Sequence, residues 1–314
     1  MPPDRHATIG AEIRGVNEED GLSGLTVGGV RRIWSLCSLV LLLAATAAED
    51  PARAGTSTPW IQGYNSQVRL IAGGAAKPHG GAGLLAGVEI RLAPGWKTYW
   101  RMPGDAGGVP PHFDWSGSGN LASARVLYPA PHRLKDAAGD SVGYTGTVLF
   151  PIEITASDPS RPVELRLALD YGICREICVP AQASLDISIP PEGGGTTGVP
   201  SEIAAALASV PRSGTATRPQ DPRLGKIEAE LTGAEPKLTL EVAFPAGASS
   251  GDAFVEAPEG LFLALPARAG ERDGTVRFVV DLSQGVEPAE LKGTTLVITA
   301  VSDAGQSETS WTVK

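Results

Sequence analysis

Val163-Glu164-Leu165-Arg166-Leu167-Ala168-Leu169-Asp170-Tyr171-Gly172-Ile173-Cys174-Arg175-Glu176-Ile177-Cys178-Val179-Pro180 is the stretch on which the reading of this chain turns. Val163, Leu165, Leu167 and Leu169 alternate with Glu164, Arg166 and Asp170, the period-two pattern of a strand with one buried face. Leu185, Ile187 and Ile189 then alternate with Asp186 and Ser188, as a returning strand would. The cysteines therefore fall at the tip or shoulder of a hairpin, on the rim of a sheet, where a partner can reach them. In an extended strand, positions i and i+4 lie about 13 Å apart, whereas a disulfide needs Cα atoms within about 7 Å. If the two bond, Arg175, Glu176 and Ile177 must fold the chain back as a tight loop or a single helical turn. A bridge closing so small a ring removes little unfolded-chain entropy. It would be a weak staple, so a redox role is the first expectation and a structural disulfide the alternative.

Working outward, Arg31-Arg32 followed by the apolar run Ile33 to Ala45 has the order of a secretory signal, with Thr46-Ala47-Ala48 as a cleavage site. The run is shorter than the roughly 20 residues that span a bilayer. A cleaved signal at about residues 31–48 is expected, with an uncleaved anchor as alternative; residues 1–30 read as an early start assignment. Cys37 lies inside this leader. Export would place Cys174 and Cys178 in a compartment where disulfides persist. The formal charge of −9 argues against nucleic acid or anionic lipid as partner.

Gly 39 and Pro 26 in 314 residues, with few long amphipathic segments, point to turn-rich β structure. Further strands are expected at Val88–Leu92, Leu238–Val242, Leu261–Leu263, Val276–Val280 and Leu296–Ala300. Ser201 is expected to cap a short helix through Leu207, stopped by Pro211. The fold class expected is all-β, with two immunoglobulin-like β-sandwiches in tandem joined by a short helix and linker. The boundaries are 58–190 for the first, 191–223 for the linker and 224–314 for the second, after a leader at 1–48.

Gly95-Trp96-Lys97-Thr98-Tyr99-Trp100-Arg101, Pro103-Gly104-Asp105, Phe113-Asp114-Trp115, Tyr128-Pro129-Ala130-Pro131 and Gly143-Tyr144, ending in the cysteine loop, supply a more specific pattern. Together they resemble the N-terminal periplasmic (alpha) domain of the thiol:disulfide interchange protein DsbD family, in its ScsB-type branch. The resemblance covers about residues 60–190, and residues 215–314 look like the second β domain of ScsB-type proteins. It implies an immunoglobulin-like sandwich whose pair, Cys174 and Cys178, takes electrons from a thioredoxin-like or transmembrane domain and passes them to periplasmic thiol proteins. By analogy Cys178 would hold the intermolecular bond. A cap over the pair would correspond to Pro131–Tyr144, with Tyr99, His132, Leu134, Asp136, Tyr144, Arg175 and Glu176 as cap or partner contacts. The loop between the cysteines is shorter than in DsbD, and the cap phenylalanine has no obvious equivalent. The chain ends after the second β domain, so the expectation is that a separate protein, such as a membrane electron carrier, reduces the pair, or else that the module does something other than relay electrons. Thioredoxin-fold proteins are the expected partners; no cofactor, metal or small-molecule substrate is expected.

Other readings are weaker. Two thiolates suit Cu(I), and ScsB-type systems are associated with copper tolerance, but only Met102 and distant histidines could assist. Trp96, Tyr99 and Trp100 could line the ligand surface of a non-catalytic interaction module, although core packing is the plainer role. The glycine-rich stretch from Gly73 to Gly87 reads as a hairpin loop. His112 near Asp114 and His132 near Asp136 lack a nucleophile, and Asp105 and Asp114 are expected to bond turns. Arg175 favours a Cys174 thiolate and Glu176 opposes it.

Overall fold

The computed structural model describes residues 56–76, 83–135, 139–191 and 198–314, all within one compact unit. The signal-like segment, with Cys37, lies outside the described residues, as does Asp136. No described helix is long and apolar enough to cross a membrane.

The first half of the unit contributes β1 (Ile61–Gly63), β2 (Ser66–Ala76), β3 (Gly83–Leu92), β4 (Lys97–Gly104), β5 (His112–Asp114) and β6 (Leu121–Val126). It continues with β7 (His132–Leu134), β8 (Ser141–Thr145), β9 (Thr147–Ala156), β10 (Val163–Cys174) and β11 (Cys178–Ile189). Two antiparallel sheets result, ordered β1-β2-β3-β9-β6 and β11-β10-β4-β8-β7, with β5 pairing β10. The alternation seen in the sequence explains them: Val163, Leu165, Leu167, Leu169 and Tyr171 point inward from β10 against Val88, Ile90, Phe150 and Ile152 of the facing sheet. This is an all-β immunoglobulin-like fold.

Helix α1 (Ser201–Ala208) covers the outer face of the first sheet, where Ile203 packs on Ile71, Leu85 and Leu149. That is why β3 is buried on both faces. Its N-cap is Pro200, and no side chain caps it; Ser201 is already the first helical residue. The polar segment before residue 223 is anchored, because buried Asp221 accepts from Arg212 Nη1 at 3.2 Å and from the Arg218 backbone N–H at 2.7 Å.

The second half adds β12 (Arg223–Glu230), β13 (Lys237–Ala243), β14 (Asp252–Glu256), β15 (Ala267–Arg272), β16 (Thr275–Asp281), β17 (Thr295–Ser302) and β18 (Gly305–Thr312). Sheets ordered β12-β13-β16-β15 and β14-β17-β18 enclose a second core around Leu240, Phe278 and Ile298. Leu261–Leu263, expected as a strand, is loop: Leu263 alone is buried and Phe262 is exposed, too short an alternation to form a ladder.

The two halves are joined by side chains, not merely by the linker. Phe254 of β14 packs on Trp100 at 5.6 Å and belongs to the first core. Arg101 forks onto Glu256 at 2.7 Å through two nitrogens and also donates to Glu308. Arg133 pairs with Asp252 at 2.8 Å. Asp105, expected to bond a turn, instead accepts the Leu265 N–H at 2.8 Å, whereas Asp114 does bond its own turn through the Ser116 N–H.

Candidate functional site

Cys174 ends β10, Cys178 opens β11, and the two are directly paired across the hairpin. The Arg175 N–H donates to the Ile177 carbonyl at 3.3 Å, so that pair forms a hydrogen-bonded rung and the cysteines the next, non-hydrogen-bonded one. The neighbours obey the same alternation. Pro180, which has no N–H, faces Gly172, and the Gly172 N–H turns away from β11 to the Val109 carbonyl at 2.9 Å. Cα atoms on such a rung lie about 4.5 Å apart, within the range that a disulfide spans. Both cysteines are free thiols in this structure.

The two sulfurs differ in access. Cys174 is 5% exposed, and Cys178 is exposed. Cys174 and Gly172 share the outer face of the sheet, opposite the core-facing Ile173, and that face is covered locally. Tyr99 of β4 lies on it, 2% exposed, with its phenol oxygen 3.0 Å from Cys178 Sγ. Segment Gly107–Val109 is laid over Tyr99 and Gly172. A side-chain carbon on Gly108 would sit 2.2 Å from the Tyr99 ring, and one on Gly172 would sit 2.9 Å from the Val109 carbonyl oxygen. Glycine at both places lets backbone and ring approach closely.

Burial, then the adjoining sulfurs, push the Tyr99 phenol well above its ordinary range, so it stays protonated and can donate to a sulfur anion. Burial also pushes the Cys174 thiol up, and so does the Cys178 sulfur; Tyr99 and the Lys97 ammonium pull it back down.

Of the side chains expected from sequence, the structure brings Tyr99 to the pair. Arg175 folds back over Gly95, where a side-chain carbon would lie 3.6 Å from its Nε, and Glu176 is exposed in the connection. His132 and Leu134 belong to β7 and pair with Gly143 and Ser141 of β8. Tyr144, expected at the cap, is in the core on the opposite face, with its hydroxyl donating to the Pro129 carbonyl at 2.8 Å and its ring 5.5 Å from Phe150. It cannot reach the sulfurs because strand alternation sends it inward. Lys97, Gly108 and Val109 were not expected at the site. The alternation Lys97-Thr98-Tyr99, which puts the lysine on the tyrosine's face, was the one signal available for the first. Among the described residues no group of three or more His, Cys, Asp or Glu side chains converges.

Gly108→Val is expected to lift the segment off Tyr99 and raise the alkylation rate of Cys174 about tenfold, through easier local opening. Its φ of +149° adds strain to the collision. Gly107→Ala is the control, since Gly107 has positive φ but open space around it. Equal rates in Gly108→Val and the parent would refute the shielding role.

Residues 67–189 match the family model for the N-terminal part of thiol:disulfide interchange protein DsbD. That segment is DsbD-like. It contains both cysteines, Tyr99 and Lys97, and ends with β11. A solved structure, the N-terminal periplasmic domain of ScsB from Proteus mirabilis, is similar with a TM-score of 0.63 at 22% identity, covering 82% of this chain and 98% of that one. At that identity the likeness shows the fold, and it extends beyond the DsbD-like segment into the second half of the chain. No curated protein sequence matches the chain.

Proposed function

We propose that the protein is a periplasmic thiol–disulfide exchange module that works through Cys174 and Cys178, with thioredoxin-fold proteins as partners. The observation that carries this is the asymmetric rung: two directly paired cysteines, one exposed and one covered. Exchange proceeds by attack of a thiolate on a disulfide sulfur through a mixed disulfide. A partner thiolate attacks Cys178 Sγ; the Cys178–Cys174 bond breaks, and its electron pair leaves on Cys174. A second partner thiolate then attacks the partner's own sulfur and releases Cys178. The pair gains two electrons and the partner loses two; the reverse sequence reduces a partner disulfide. Tyr99, held protonated beside Cys178, supports the anion that forms there.

Energetics agree with exchange rather than stapling. Closing a ring of this size is worth about 2 kcal/mol in chain entropy, against about 4.7 for a 100-residue loop. Equilibration with glutathione tests the reading. A potential above about −300 mV is expected, and a lower value would mark a structural bond.

A further inference from the structure

Lys97 stands directly opposite Cys174 in the pairing of β4 with β10. Side chains opposed in this way share a face, with Cβ atoms about 4.5–5.5 Å apart. The lysine stem therefore begins beside the thiol. Lysines that merely cover a sheet extend their heads to water. Lys97 does not: it is 8% exposed, and its Nζ donates to Ser141 Oγ at 2.9 Å. A buried ammonium is costly to keep, and this one is kept on the face that carries both sulfurs and Tyr99.

We propose that Lys97 supplies the counter-charge for Cys174, stabilising the thiolate that appears on that buried sulfur whenever the Cys174–Cys178 bond breaks. The inference rests on the exchange reaction proposed above and names the group that makes its covered sulfur a workable leaving group. Cys178 can shed its charge toward solvent, but Cys174, at 5% exposure, cannot. In the reverse direction the same ammonium holds the Cys174 thiolate ready to attack a Cys178–partner disulfide; that attack re-forms the intramolecular bond and returns the electron pair to the partner. Among the described residues, the ionisable groups around Cys174 are Lys97 and Tyr99 from β4, Cys178 from β11, and Arg175 and Glu176 in the connection. Lys97 is the cation among those acting on the sulfur, and it lowers the energy of the anion while burial and Cys178 raise it. Ser141 acts through Lys97, by fixing where the ammonium sits.

The test is the pH profile of Cys174 alkylation by iodoacetamide, read at the Cys174 peptide by mass spectrometry in a Cys178→Ala background. Lys97→Met is expected to move the midpoint up by about one pH unit, a tenfold loss of thiolate at a fixed pH below it. Lys97→Arg, which keeps the charge, is expected to stay near the parent. Ser141→Ala, which keeps the lysine but removes this hydrogen bond, is expected to shift the midpoint the same way by less, and it serves if Lys97→Met does not fold. Unchanged midpoints in a folded Lys97→Met and in Ser141→Ala would overturn the proposal. A shifted profile in a protein whose glutathione potential marks a structural bond would leave Lys97 in place and remove the exchange reading; an exchange-range potential with unmoved profiles would do the opposite.

Discussion

Cys174→Ser, mixed with an oxidised thioredoxin-fold protein, is expected to accumulate a covalent complex visible on a non-reducing gel, while Cys178→Ser accumulates none. The asymmetry follows from access. In Cys174→Ser the exposed Cys178 can still attack a partner disulfide, but the covered sulfur that would release it is gone. In Cys178→Ser the remaining thiol lies at 5% exposure beside Tyr99, over which Gly108 is laid, beyond the reach of a folded partner. Both variants are expected to lose two-electron turnover altogether, since each lacks half of the couple. Trapping by Cys178→Ser instead, or by neither variant, would contradict the assignment of the exposed sulfur as the point of attack.

The second large effect is on stability. Arg101→Met is expected to cost about 3 kcal/mol, near the lower end for breaking a buried ion pair because the partners keep some solvent access. Burial works against the Arg101 charge, yet the carboxylates of Glu256 and Glu308 more than offset it and push its pKa up. The guanidinium also lies 4.5 Å over the Trp100 ring, so its loss uncovers the aromatic contact with Phe254 as well. For a unit of this size that loss corresponds to a drop in Tm of about 6–12 °C. Glu256→Gln, which leaves Glu308 in place, is expected to lose less. Urea unfolding of the three proteins checks the order; a loss below about 1 kcal/mol for Arg101→Met would show that the two halves are held mainly by apolar packing.

Both predictions depend on contacts that sequence patterns describe unequally. The strand from Val163 and its return to Ile189 were legible because alternation needs only one buried face, and a buried face leaves its period in the residues. The hairpin connection followed from the alternation that resumes after the cysteines at Leu185, Ile187 and Ile189. Helix α1 was legible as a short alanine-rich segment, but its cap was not, since Ser201 sits one residue inside the helix. Leu261–Leu263 looked like a strand because three apolar residues carry too little pattern to separate a ladder from a loop that buries one side chain. The segment over the site, Gly107–Val109, has no periodicity at all. Its place is set by two backbone hydrogen bonds, Gly107 N–H to the Gly104 carbonyl and Gly172 N–H to the Val109 carbonyl, and by its contact with the Tyr99 ring.

The chain alone determined that an amphipathic hairpin brings two thiols to a sheet rim, because side-chain alternation and the reach of a disulfide are local constraints. Which thiol is open and which is covered was decided only by the fold. Tyr99, 79 residues before Cys178, reaches it because β4 lies beside β10, and Lys97 stands opposite Cys174 for the same reason. Burial and charge at a sulfur are sums over whatever the packed chain places around it, and no spacing along the sequence encodes that sum.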